Sequence, residues 1–363
     1  MNKVLSYIAL IGATILTLSF AAFAANGPYD VNGVRVDASA DSASAAREIA
    51  LAQGYQQALT TLMKRNTLRQ NWQNLPTLSE VEAQGFVRSF SIIGEKTSRT
   101  RYLARLNVSF KANGVRNLLR QSGVPFSETV SKPVLVLPVW QVRDRYILWG
   151  DPNPWRAAWE QEADGFKGLL PIVMPDGELD EMQLIDGAAA VAGDQAALDA
   201  IAKRHGVAKV AVSHGRLLVD RETDESYAQI VTKVYGAGGV GEITDQQFVP
   251  AGSKEKFFRA LARGAIGDLN EDWKAKTLVR FGQSGQLAVR IPVSGLEQWV
   301  RLRKEIENVA AVQKVTVGSL SVSEAWVQID YRGGISQLAF SLNERNLALQ
   351  EDGQGGYTIL PRR

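Results

Sequence analysis

Five carboxylates crowd the stretch MPDGELDEMQLIDG: Asp176, Glu178, Asp180, Glu181 and Asp186. Alternate acids at 176, 178 and 180 are how a calcium loop opens. Its sixth position, however, requires glycine and is Glu181, and its twelfth requires a bidentate glutamate and is Gly187. A calcium loop is therefore not expected. Glu178 and Asp180 remain available as an acid and base pair, the arrangement by which a glycan is hydrolysed. The hexad GAGGVG, Gly236 to Gly241, has the spacing of a dinucleotide loop, but EITDQQFVPAG follows it where a helix must start. It reads as a hairpin turn. GEKTS, Gly94 to Ser98, lacks the glycine before lysine that a phosphate loop needs and also reads as a hairpin turn.

Other catalytic chemistries find little to work with. There are two histidines and no cysteine, which disfavours a zinc site, a thiol nucleophile and any disulfide. Ser213 and His214 are neighbours in KVAVSHGRL, and neighbours on a strand point to opposite faces. No G-x-S-x-G occurs. The expectation is a protein without catalytic residues, cofactor or metal.

The remaining concentration of chemistry is aromatic. Leu137 to Trp159, LPVWQVRDRYILWGDPNPWRAAW, holds four of the eight tryptophans. It divides into a strand ending at Trp140, a loop, and a helix capped by Asn153 with Pro154 at its first position. Trp155 and Trp159, four apart, share one face of that helix. One reading is core packing. The other is an aromatic platform for an apolar protein partner or for a glycan or lipid ligand, made by Trp140, Trp149, Trp155 and Trp159, with Arg143, Arg145 and Arg156 supplying hydrogen bonds or stacking on indole. Trp149, in the loop before Gly150, is the indole most expected to be exposed. A ligand carrier would require a pocket lined by Trp140, Trp149 and Trp155.

The elements that must position these residues follow from periodicity. Residues 1–24 have the form of a secretory signal: Lys3, an apolar run from Val4 to Phe20, and Ala22-Phe23-Ala24 as the cleavage site. Residues 25–128 read as strand, long helix, hairpin and helix. Residues 129–283 read as an α/β layer that opens with the continuous apolar strand PVLVLPVW. Residues 284–363 spell βαββαβ, the order of a ferredoxin-like domain, with GISQLAFSLNERNLAL as the second helix. The class is α+β, three consecutive modules. Removing Lys3 with the signal leaves 40 basic residues against 38 acidic ones, so charge gives no argument for nucleic acid or an anionic membrane surface. No second segment is apolar and long enough to span a bilayer.

LPVW, LWGDPNPWRAAW, MPDGELDEMQLIDGAAAVAGDQAALDAIAKRHGVAKVAV and the last segment resemble the bacterial exported family called domain of unknown function 2066. YDVNGVRVDASADSASAAREIALAQGYQQAL is similar to the opening strand and helix of the flagellar assembly protein T family, periplasmic ring components. The order of the middle segment is similar to the amino-terminal domain of the Tol-Pal propeller protein family. These resemblances carry no catalytic residues. They imply a periplasmic protein whose partner is another envelope protein or a second copy of itself.

Overall fold

The structure, a computed structural model, describes residues 27–223, 225–236, 241–248, 253–279, 284–353 and 355–362. The expected signal, residues 1–24, lies outside them. The fold is α+β, built on three sheets.

The first sheet has the order β1 (Asp30–Ser39), β3 (Arg101–Phe110), β2 (Val87–Thr97), all antiparallel. Its buried face carries α1 (Ala43–Asn66), whose Ala46, Ala50, Tyr55, Ala58, Leu59 and Leu62 recur at helical spacing and are all buried. Ser42 starts that helix, its Oγ accepting the Ala45 N–H at 3.2 Å. Gly54 lets the helix lie close to the sheet, since a Cβ there would come within 2.5 Å of Leu106 Cδ1 and 2.6 Å of Val36 Cγ1. α2 (Glu80–Gly85) and α3 (Ala112–Gln121) complete the layer. The turn expected at Gly94 to Ser98 lies further on: β2 runs to Thr97, and Ser98 N–H donates to Arg101 O. Gly94, at φ 64°, sits where the β2–β3 register shifts between Ile93 and Lys96, so it makes a bulge in the strand and not its end.

The second sheet has the order β5 (Arg145–Ile147), β4 (Val134–Val142), β7 (Lys209–Val219), β8 (Ser226–Gly236), β9 (Gly241–Phe248), with β6 (Ile172–Val173) also beside β4. β4 is parallel to β7 and buried on both faces. One face packs against α4 (Pro154–Asp164) and α8 (Lys254–Lys276), the other against α6 (Gly187–Ala192) and α7 (Gln195–Arg204). α5 (Leu179–Leu184) precedes them. Residues 237–240 of the glycine hexad lie outside the described residues, but Val234 opposite Gly241 is the pairing of a hairpin.

The last sheet has the order β11 (Val312–Leu320), β12 (Glu324–Arg332), β10 (Ser284–Pro292), β14 (Tyr357–Pro361), β13 (Leu347–Glu351). α9 (Leu296–Glu307) and α10 (Ile335–Asn343) share its core. The order is βαββαββ, one strand more than the sequence spells. The second helix was expected to run to Leu349. It stops at Asn343, Asn346 takes a left-handed φ of 58°, and Leu347–Glu351 pairs with β14 as a strand.

The units are joined by long-range contacts. Val279 lies in the first core and its N–H donates to Phe126 O at 2.7 Å. Lys274 is buried, with Nζ on Thr67 O and on Glu271, each at 2.5 Å. Glu344 of the last unit accepts from Lys132 N–H and from Lys209 Nζ, each at 3.0 Å.

Candidate functional site

Asn153 organises the tryptophan stretch. Its Oδ1 accepts the Arg156 N–H at 3.0 Å, and its Nδ2 donates to the carbonyls of Ile147 at 2.9 Å and Pro138 at 3.2 Å. The cap therefore fastens α4 to β4 and to the end of β5. From that start Trp155 and Trp159 turn inward. Both are 0% exposed, their rings meet edge to face at 5.8 Å, and Trp155 Nε1 donates to Ser213 O at 2.9 Å. Trp140 is buried too, its ring edge to face with Phe258 at 4.9 Å. The contact role expected of Trp140, Trp155 and Trp159 is thus corrected to core. One face of β4 packs on α4 and α8, and Trp155 and Trp159 of α4 fill that core together with Trp140 of β4 itself.

Trp149 is half-buried and not free. Its Nε1 donates to Ile185 O at 2.6 Å, and the Arg156 guanidinium carbon lies 5.5 Å from the ring centroid. Arg156 is also paired with Glu160 at 2.7 Å and donates to Pro175 O at 3.1 Å. Arg143 and Arg145 stand exposed at the β4–β5 hairpin, and neither guanidinium stacks on a ring among the described residues. The structure brings Trp149 to Arg156 and the three buried indoles to one core, and leaves the two hairpin arginines apart from both.

The acidic stretch is a clasp between α5 and α7. Glu181, with no exposed side chain, accepts N–H groups from Asp176 at 3.3 Å, Glu178 at 2.9 Å and Gly177, and its Oε1 lies 2.5 Å from His205 Nε2. Burial alone would raise its pKa, but the three amides and His205 hold it below the ordinary glutamate value. Asp180 is lowered chiefly by its hydrogen bond from Arg204, at 2.6 Å, and Glu178 lies 3.6 Å from the same guanidinium. A general acid needs a raised pKa, so Asp180 and Glu181 are tuned the opposite way. Among the described residues no group of three His, Cys, Asp or Glu side chains is placed to hold a metal ion. Burial, then Arg216 and Lys233, lowers His214 to about 4, and its Nε2 donates to Gln141 Oε1 at 2.8 Å.

Two clefts open near the start of the described chain. One, of about 570 Å³, is walled by Phe166, Leu170, Met174, Pro133 and Arg65; the other, of about 440 Å³, includes Glu128, Arg116 and Glu344. Neither wall contains a tryptophan, so they are not the pocket a tryptophan-lined carrier requires. Exposed apolar chemistry lies elsewhere. β2 ends the first sheet and carries Phe90 at 45% and Ile93 at 51% exposure. Trp326, which sequence reasoning did not single out, is 46% exposed on β12. Its signal was present: in AWVQIDY the alternation sets Trp326 with Gln328 and Asp330, on the side opposite Ala325, Val327 and Ile329.

Residues 30–128 match the family model of a domain of unknown function (DUF8605). The match takes in β1 through α3, the sheet that ends in β2. No curated protein matches the chain. Among the described residues no helix is long and apolar enough to cross a membrane.

Proposed function

We propose that this is an exported, periplasmic protein of the bacterial envelope that works by binding and assembly and not by catalysis. Lys3, the apolar run Val4 to Phe20 and the Ala22-Phe23-Ala24 site support export, and so does the likeness to an exported envelope family. The observation that carries the binding reading is the outer edge of β2. Among the described residues its stretch Ser89 to Ile93 pairs only with β3, and it leaves Ile93 and the outer part of Phe90, whose ring meets Tyr55 edge to face at 5.4 Å, open to solvent beside backbone groups that can take another strand. The partner is an extended segment of an envelope protein or of a second copy. The competing reading, a glycan hydrolase using Glu178 and Asp180, is disfavoured because Arg204 engages both.

Two measurements test this. Intact mass of the cell-expressed protein is expected to begin at Ala25; retention of residues 1–24 overturns export through a cleaved signal. Cross-linking in intact cells, followed by pull-down, is expected to give a discrete partner that Ile93→Lys loses without a change in melting temperature. Capture of the same set by Ile93→Lys, or of nothing by either form, overturns assembly through β2.

A further inference from the structure

Among the described residues, β11, β12 and β10 of the last sheet are covered on one side only. Val289, Ile291, Val315, Val327 and Ile329 face the core shared with Trp299 and Leu302 of α9 and Leu338 and Leu342 of α10. The opposite face is open over β11, β12 and β10. Cross-strand pairing sets out what stands on it, because directly paired residues point the same way. One row is Ser319, Trp326 and Arg290; the next is Thr316, Gln328 and Ala288; the third is Lys314, Asp330 and Gln286. All but the half-buried Asp330 are exposed.

The composition of this face selects its ligand. A protein interface is centred on several apolar side chains, and here one indole and one methyl group stand among polar residues. A nucleic-acid face needs net positive charge and repeated stacking rings. Here the charges cancel: Lys314 pairs in register with Asp330, and Arg290 lies 3.7 Å from Glu324. What is left is a ring fixed in place, Trp326 Nε1 donating to Glu324 Oε1 at 3.1 Å, with the Ser319 hydroxyl in its own row, the Thr316 hydroxyl and the Gln328 amide, which donates to Asp330 Oδ1 at 3.4 Å, in the next, and the Gln286 amide one row further. That is the chemistry a neutral sugar chain requires. Its C–H faces need an aromatic ring and its hydroxyl pairs need planar amides and short alcohols.

We infer that the open face of the last sheet binds a neutral glycan chain, with Trp326 stacking on a sugar ring and Gln328, Gln286, Thr316 and Ser319 hydrogen-bonding its hydroxyl and acetamido groups. The inference deepens the binding reading and rests on export only for where such a glycan is met. It uses a surface separate from β2.

The test is calorimetric titration of the full mature chain with two probes, chitohexaose and cellohexaose, beside Trp326→Ala, Gln328→Ala and Trp72→Ala. Trp72 is the control, an indole 39% exposed in the first unit with Lys64 over its ring at 5.5 Å. Binding of at least one probe is expected, weakened about tenfold by Trp326→Ala and less by Gln328→Ala, and unchanged by Trp72→Ala, with all variants melting like the parent. Absence of binding to both probes at millimolar concentration overturns the inference. So does binding that survives Trp326→Ala, or cross-linking that shows this face covered by a protein. Ile93→Lys should leave glycan binding intact, so failure here and failure of assembly through β2 are read separately.

Discussion

Residues 137–186 and residues 312–332 contrast in a way their sequences conceal. The first is dense with indole, guanidinium and carboxylate and has the look of a site, yet its groups serve each other: Trp155 and Trp159 fill a core, and Glu181 ties three amides to His205. The second is a plain alternating strand pair, yet it leaves an indole open on an uncovered face. What decides is the number of layers. β4 is covered on both faces, so a large side chain beside it becomes core; β12 is covered on one, so every second side chain meets water.

Substitution at the two ends of this contrast should separate them widely. The largest effect is expected from Trp155→Ala, which removes a fully buried ring and strands the partner at Ser213 O. A loss of about 3–5 kcal/mol in denaturant unfolding is expected. A loss under about 1 kcal/mol would mean the tryptophan stretch is not core.

Glu181→Gln should fall between the extremes, with a loss of about 2 kcal/mol, because an amide cannot accept from all the donors that meet the carboxylate. The loss should depend on pH. Since the folded pKa is depressed, the carboxylate stabilises the fold above its unfolded pKa, and that stabilisation fades as pH falls through the lower folded value. Melting curves of the two proteins should therefore converge below about pH 4.3. Convergence at neutral pH instead would show the acidic stretch to be a loose loop.

The smallest effect is expected at Trp326. Trp326→Ala should change stability by less than about 0.5 kcal/mol. A larger loss would place the ring in the core and erase the contrast.

Much of the frame was legible where the signal is local. Ser42, Asn153 and Asp194 act as the helix caps their types and positions suggest, each accepting a backbone N–H three residues on. α1 and α8 follow from helical periodicity, and the strand pair β7–β8 from alternation. What escaped depends on neighbours distant in sequence. Leu347 and Ala348 look like a continuing helix until β14 offers a strand to pair with. β9 is too polar to announce itself and is fixed by β8. The burial of the indoles was undecidable locally, since an aromatic stripe at helical spacing suits both a core and a surface patch. The exposure of Trp326 was legible from alternation, given that only one side of the strand is apolar.

Val279 carries a consequence for the order in which the chain is completed. The stretch 30–128 looks like a unit in itself, yet its core includes this valine, and Ser127 Oγ bonds Thr277 Oγ1 across a separation of 150 positions. The first core therefore stays unsealed until α8 and the residues after it have joined it. Closing so long a loop is slow relative to local helix and hairpin formation. Maturation of the first unit is thus timed by the second, and early release of a shortened chain would leave that core open to proteases.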